Sequence, residues 1–154
     1  MKIVKTHEKN LSENYIELHY SRIDQETEDI LSRINPSMEY VEGKQDSQTL
    51  SVRVSDIFYW EVVDRKTFAY TEQDCLEVKI TLNEILTKYA DAGFLRISKS
   101  MIVNVHKIRK LKGDLNMRVA VILDNDEKII MNRGYRSEFF KELKKLHRQE
   151  VKES

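Results

Sequence analysis

The sequence predicts an α+β fold that is mainly β: an antiparallel β domain with packed helices over residues 48–154, preceded by a small αβ leader over residues 1–47. Three observations carry that expectation. From Leu50 onward apolar residues recur with a period of two, as in strands with one buried face. Polar breaks of two or three residues part several of these runs, which forces the neighbouring strands into antiparallel hairpins. The charge also changes sign along the chain. Residues 1–47 carry six basic and ten acidic side chains, and residues 48–154 carry twenty basic and sixteen acidic, although 26 Lys and Arg balance 26 Asp and Glu overall.

In the leader, residues 14–20 (NYIELHY) alternate with Ile16, Leu18 and Tyr20 on one face and read as a strand. Ile23, Thr27, Ile30, Leu31 and Ile34 then recur at helical spacing. Asp24, Glu26, Glu28 and Asp29 occupy the first turns of this helix, where its dipole favours negative charge. Asn35-Pro36 should end it. Residues 38–42 suggest a short strand, and 43–48 (GKQDSQ) has the composition of a linker.

In the body, Leu50, Val52 and Val54 alternate with Ser51 and Arg53. Further strand-like runs span 57–63, 67–72, 75–80, 105–111, 118–123 and 127–131. The breaks Asp64-Arg65-Lys66, Gln73-Asp74 and Asp124-Asn125-Asp126 supply turns from Asp and Asn, since the chain has only four Gly and one Pro. Thr81 with Glu84 fits a capping box ahead of Leu82, Ile85, Leu86 and Tyr89, with Gly93 as the stop. A last helix from about Tyr135 to Gln149 places Phe139, Phe140, Leu143 and Leu146 on one face.

Catalytic constellations are missing from the pattern, so no enzyme activity, cofactor, metal or small-molecule substrate is expected. No glycine-rich phosphate loop exists, because the four Gly stand far apart. The four His (His7, His19, His106, His147) lack metal-ligand spacing. Cys75, the sole cysteine, excludes an intrachain disulfide and reads as a buried structural thiol rather than a nucleophile. The longest apolar run, Val119 to Leu123, is far too short to cross a bilayer, and no secretory signal opens the chain. A reduced, cytoplasmic setting is the expectation.

The positive charge is clustered. Six Lys or Arg and no acid lie between Arg96 and Lys112, and six more against two Glu lie between Arg133 and Arg148. Three clusters fall at turn-like places: Asp64-Arg65-Lys66-Thr67, Arg96 to Ser100 (RISKS), and Asn132-Arg133-Gly134-Tyr135-Arg136. Loop-borne cations on a stiff β scaffold can enter the major groove of duplex DNA. The alternative for the first cluster is a wet hairpin tip, and for residues 107–112 a charged guard against edge-to-edge strand pairing. Arg133 and Arg136 resist that explanation, because a helix start disfavours cations unless an anion such as phosphate completes the site. Phe58, Tyr59 and Trp60 read as core rather than as a stacking platform, and His106 as structural.

At these residues the chain resembles the LytTR family of bacterial DNA-binding domains. The resemblance runs in order through DIFYWEVVDRKTFAYT, CLEVKITLNEIL, FLRISKSMIVNVHKIRKL and KIIMNRGYRSEFFKEL, about residues 48–147, and is most specific between Phe94 and Ile108. It implies an elongated, mainly β fold of small packed sheets, and sequence-specific binding through loops set in successive major grooves, usually at paired direct repeats. Carried over residue by residue, the first recognition loop is Arg65, Lys66 and Thr67. The second position is Lys99 with Arg96 and Ser98 beside it, and the third is Arg133, with Arg136 following. Asn104 matches the motif's asparagine, for which a structural role is expected. Ser98 stands where many members have His, and Asn132 where many have Ser, changes that bear on which bases are read.

Residues 1–47 are too short for the phosphoryl-accepting receiver domain many members carry, so direct control by phosphorylation is not expected. By analogy with standalone members, the leader suggests dimerisation or docking to a partner, such as a small membrane protein. The reading is a transcription regulator of double-stranded DNA, acting as two copies. Two others stay open: an RNA-binding regulator using the aromatic β surface, and an interaction module docking an acidic or membrane-bound protein.

Overall fold

A computed structural model describes residues 4–10, 12, 16–22, 24–34, 39–113 and 115–153. Its described elements are a helix α1 (Gln25–Ile34), five strands β1 (Tyr40–Gln45), β2 (Gln48–Arg53), β3 (Tyr59–Val63), β4 (Lys66–Tyr70) and β5 (Cys75–Val78), and a helix α2 (Leu82–Lys88). Strands β6 (Phe94–Ser98), β7 (Met101–Asn104), β8 (Ile108–Gly113), β9 (Val119–Leu123) and β10 (Lys128–Met131) follow, and α3 (Arg136–Glu153) closes the chain. All pairings are antiparallel: seven strands in the order β2-β1-β5-β4-β3-β7-β6, and three in the order β10-β9-β8. The α+β, mainly β class expected from the sequence is the class observed.

Alternation along β3, β4 and β5 sends Trp60, Ala69, Leu76 and Val78 to one face, where they meet Leu82 and Ile85 of α2 and Tyr89 just beyond its end. Trp60 is fully buried, stacked near Tyr89 at 6.4 Å and edge-on to Phe94 at 5.7 Å. On the opposite face Tyr59, Ile97 and Val103 pack with Val121, Leu123 and Met131 of the small sheet and with Phe139 of α3. The middle of the molecule is thus a sheet buried on both sides.

Several local expectations are met for their stated reasons. Thr81 accepts from the Glu84 amide while the Glu84 carboxylate accepts from the Thr81 amide, so the capping box opens α2. Gly93 ends that region in the left-handed conformation, φ 83°, and a Cβ there would fall 2.7 Å from His106 Nε2. Asp24 caps α1, its carboxylate accepting from the Thr27 amide at 3.0 Å and hydroxyl at 2.7 Å. Hydrogen bonds from the Thr27 hydroxyl and amide hold the Asp24 carboxyl below its usual range.

Other expectations are corrected. The strand over 14–20 is not formed in its described part: residues 16–20 belong to no strand, and Ile16 is 74% exposed. The expectations for Asn14, Tyr15, Ile23, Asn35, Pro36 and Met38 lie outside the described residues. The linker expected at 43–48 is a hairpin. Asp46 and Ser47, at φ 49° and 67°, make a two-residue turn closed by the Gln45–Gln48 pair. Polar composition alone does not separate a linker from a hairpin tip. β1 itself lies between β2 and β5, and Gly43 is needed there, since a Cβ would meet Leu76 Cβ at 2.7 Å. Residues 105–107 form a 3-10 turn before β8 rather than its first part.

Strands β6 and β7 were not expected. Their joining turn, Lys99-Ser100, has no Gly, Asn or Pro, and β7 is buried on both faces, so it shows no alternation. Cys75 is exposed, not buried. Its odd register in β5 puts it opposite the core-facing Leu76 and Val78. Partial burial pushes its thiol up and the Glu61 carboxylate adds to the rise, while the Tyr70 hydroxyl works against them, so it is no activated nucleophile.

Candidate nucleic-acid interface

The three basic turns are far apart in the chain, and the sheet brings them to one end. Pairing of Glu61 with Met101 sets β3 and β7 so that the β3–β4 turn and the β6–β7 turn emerge side by side. The Val62 amide donates to Ser100 O at 2.8 Å and joins the two tips directly. The third turn follows β10. There the Asn132 amide donates to Ile97 O at 2.9 Å, fixing Arg133 beside β6 just before its tip. A continuous path of backbone bonds therefore links residues 62, 100, 97 and 132.

At the first tip Asp64 and Arg65 both take left-handed conformations, φ 50° and 65°, closing a two-residue turn between Val63 and Lys66. A side chain at such a position costs about 1–2 kcal/mol relative to glycine's freedom. Arg65 is exposed there, whereas Lys66 donates to Glu77 Oε2 at 3.1 Å across to β5. Thr67 does not belong to this surface. It is 8% exposed, on the core-facing side of β4.

At the second tip Lys99 and Ser100 form the turn, and Lys99 is exposed. Ser98 Oγ accepts from the Ser100 amide at 3.2 Å. Arg96 is not on the turn but in β6, half-buried; its guanidinium donates to Lys99 O at 2.9 Å and to Asn83 Oδ1 of α2 at 2.8 Å. Asn83 is a site residue the sequence did not reveal, because nothing at thirteen residues' separation signals the contact. At the third turn Arg133–Tyr135 form a 3-10 turn leading into α3, with Arg133 and Arg136 exposed. Arg136 also lies over the Phe140 ring at 6.0 Å.

The side chains of Arg65, Lys99 and Arg133 have no hydrogen-bond or ion-pair partner among the described residues. Some cations elsewhere are engaged, Arg109 with Asp126 and Lys107 over the Phe58 ring, while Lys79, Lys110 and Lys128 are, among the described residues, as unpaired as the tips, so it is their common place at one end that sets the three apart. β8, which holds Arg109, Lys110 and Lys112, is the edge of the small sheet, so there the guard against strand pairing is the better account. His106 sits beyond the Asn104 end of β7, away from the tips. Asn104, 1% exposed, donates through Nδ2 to Ile57 O at 2.9 Å and accepts from the His106 amide at 3.0 Å, a structural role.

An antiparallel scaffold that brings three cationic turns to one end presents that end to a polyanion. Residues 47–144 match the LytTR family, the LytTr DNA-binding domain, and the chain belongs to that family. An uncharacterized HTH-type transcriptional regulator of Staphylococcus aureus strain NCTC 8325 / PS 47 is 28% identical over 128 residues, covering 82% of this chain and 86% of the relative. A namesake from strain MRSA252 is 29% identical over 116 residues, covering 74% and 78%. Among solved structures, a LytTr DNA-binding domain from Bacillus cereus superposes with a TM-score of 0.64 at 29% identity, covering 68% of this chain and 95% of that one.

Proposed function

We propose that this protein is a transcription regulator that reads double-stranded DNA by setting its three basic turns into the major groove, as two copies on paired direct repeats. The observation that supports this most is the juxtaposition of exposed, unpaired Arg65, Lys99 and Arg133 at one end of a hydrogen-bonded scaffold. Lys66 and Arg136 add charge beside them, while Arg96 and Ser98 lie behind the second tip. Thr67 is left out of the contact set because it is buried. α1 and α2 are separated by five strands, so among the described residues no helix–turn–helix pair offers a recognition helix, and loops take that role.

The RNA alternative loses its basis. Phe58, Tyr59 and Trp60 are all in the core, where no base can stack on them. The interaction-module reading survives for the leader alone. We assign residues 1–47 a part in dimerisation or partner docking, a small membrane protein included, on the strength of their net negative charge and the exposed Ile16 and Tyr20. No described helix is long and apolar enough to cross a membrane.

Selection of bound duplexes from a random pool tests the reading. The expected product is a motif occurring twice, with centres about 10–10.5 base pairs or a multiple apart, so that both copies face one side of the helix. No enrichment, or stronger competition by single-stranded RNA than by duplex, would overturn it.

A further inference from the structure

Resting on that reading, we infer that Arg96 is a positioning residue and not a DNA contact: with Asn83 it locks the Lys99 turn in the conformation that meets the groove. Arg96 alternates with Phe94 toward the α2 side of β6, opposite Ile102, so its side chain leaves the sheet on the same face as α2. One guanidinium nitrogen holds Lys99 O at 2.9 Å and the other holds Asn83 Oδ1 at 2.8 Å. A planar fork with fixed donor directions can span two acceptors this way; an ammonium at the end of a flexible stem is a point charge and does not fix both.

The turn contains no Gly, Asn or Pro, both of its residues keep negative φ, and the register shifts between Arg96 and Ser98. Its remaining anchors are the Ser100 amide on Ser98 Oγ at 3.2 Å and the Val62 amide on Ser100 O at 2.8 Å. Arg96 therefore supplies the hold on the Lys99 carbonyl, and Asn83 supplies the aim of Arg96. Because Asn83 stands on α2, the recognition tip is tied to a helix as well as to the sheet. The two bonds take two of the five guanidinium N–H donors and fix its plane toward Lys99 O and Asn83 Oδ1.

Four variants decide the matter: Arg96→Lys, Arg96→Gln, Asn83→Ala and Asn83→Asp, each measured on the duplex enriched from the random pool and on random duplex across a salt series. A positioning role predicts that Arg96→Lys and Asn83→Ala both lower cognate affinity by about three- to tenfold, the range of one lost hydrogen bond. Random-duplex affinity and the salt slope of these two variants stay as in the parent, whereas Asn83→Asp, which keeps an acceptor for Arg96 but adds a negative charge beside the DNA, lowers cognate and random affinity alike and keeps the parent's ratio between them. A phosphate-contacting Arg96 predicts the reverse pattern: Arg96→Lys and Asn83→Ala bind as the parent, and Arg96→Gln lowers the salt slope by about one unit on every duplex. That result would overturn the inference.

Amide hydrogen exchange in the free protein gives a second readout that needs no DNA, so its failure is separable from failure of the DNA reading. Exchange at Val62 and Ser100 should quicken by about three- to tenfold in Asn83→Ala but not in Asn83→Asp. Unchanged exchange there would also overturn it. Asn83 is exposed, so its variants fold even if those of Arg96 do not.

Discussion

Replacing Arg65 with glycine should move stability and DNA affinity in opposite directions. Arg65 holds φ 65° next to Asp64 at φ 50°, the geometry of a two-residue turn whose usual occupant at this position is glycine. Relief of the left-handed conformation is worth about 1–2 kcal/mol. The added freedom of glycine in the unfolded chain takes back about 0.5–1 kcal/mol. The net is a gain of about 0–1.5 kcal/mol, or a rise in Tm of up to roughly 6 °C for a chain of this size. Urea unfolding followed by fluorescence of Trp60, the sole tryptophan and fully buried, reads the stability directly. On DNA the same variant loses one cation. The salt slope should fall by about 0.9, which means the affinity deficit relative to the parent shrinks by about 3.5-fold between 50 and 200 mM salt. Arg65→Lys keeps both the strain and the slope. Two results refute the reasoning: a glycine variant less stable than the parent, or one more stable that binds DNA with an unchanged salt slope.

Arg133→Ala should weaken the cognate duplex by about 1–3 kcal/mol and random DNA by less, if its guanidinium is bidentate to guanine; equal loss on both, measured by competition binding, rules out base reading by Arg133. Asn104→Ala leaves the buried Ile57 carbonyl and the part-buried His106 amide without their partner and should cost about 2–4 kcal/mol in urea unfolding. Gly43→Ala drives a Cβ toward Leu76 Cβ and Glu77 O, at 2.7 and 2.9 Å, and should cost about 1–3 kcal/mol, with amide exchange in β1 and β2 quickening before the rest of the sheet. Thr81→Ala removes the cap of α2 at a cost of about 0.5–2 kcal/mol. It also weakens a pH dependence, because the hydroxyl's bond to Glu84 is lost while the backbone amide at position 81 keeps its own. Thr81's amide and hydroxyl hold the Glu84 carboxyl below its usual range, so the parent has this contribution above the unfolded carboxyl's pKa, near 4.3, and loses it as pH falls through the folded value. Acid titrations of parent and variant should draw closer at the low end without meeting, since in the parent the Thr81 hydroxyl still accepts from the Glu84 amide.

Local chemistry was legible where one stretch of chain decides the outcome. The capping box at Thr81, the Gly93 stop, the Asp64-Arg65 turn and the apolar face of α3 each rest on residues within a turn or two of one another. The misses arose where distant residues decide. β7 is recognisable only once one knows that it is covered by α2 on one side and by the small sheet on the other, because a strand buried twice has no alternation. Cys75 took its exposed position from the register of β5 against β4 and β1, which no local pattern fixes. Residues 16–20 have the alternation of a strand, yet pattern alone does not supply a neighbour. At the interface, the cations themselves were visible in sequence, but their roles were not. Arg96 and Lys99 look equivalent in RISKS, and only the fold separates the one that holds the turn from the one that is free.

That separation explains why unpaired cations persist at the tips. Paired with a nearby carboxylate, Lys99 or Arg133 would be a solvated surface ion pair worth about 0–1 kcal/mol, and DNA would have to displace the partner before binding. Left unpaired, each offers its full charge to a phosphate or a guanine edge, where counterion release adds to the gain. Three like charges at one end repel one another in the free protein, so something other than electrostatics must fix their spacing. The fixed elements are backbone bonds, Val62 to Ser100 and Asn132 to Ile97, each with one end on a strand that packs into a core, Val62 on β3 and Ile97 on β6. On the proposed reading charge supplies the attraction, and the doubly buried middle strands set the spacing of that charge.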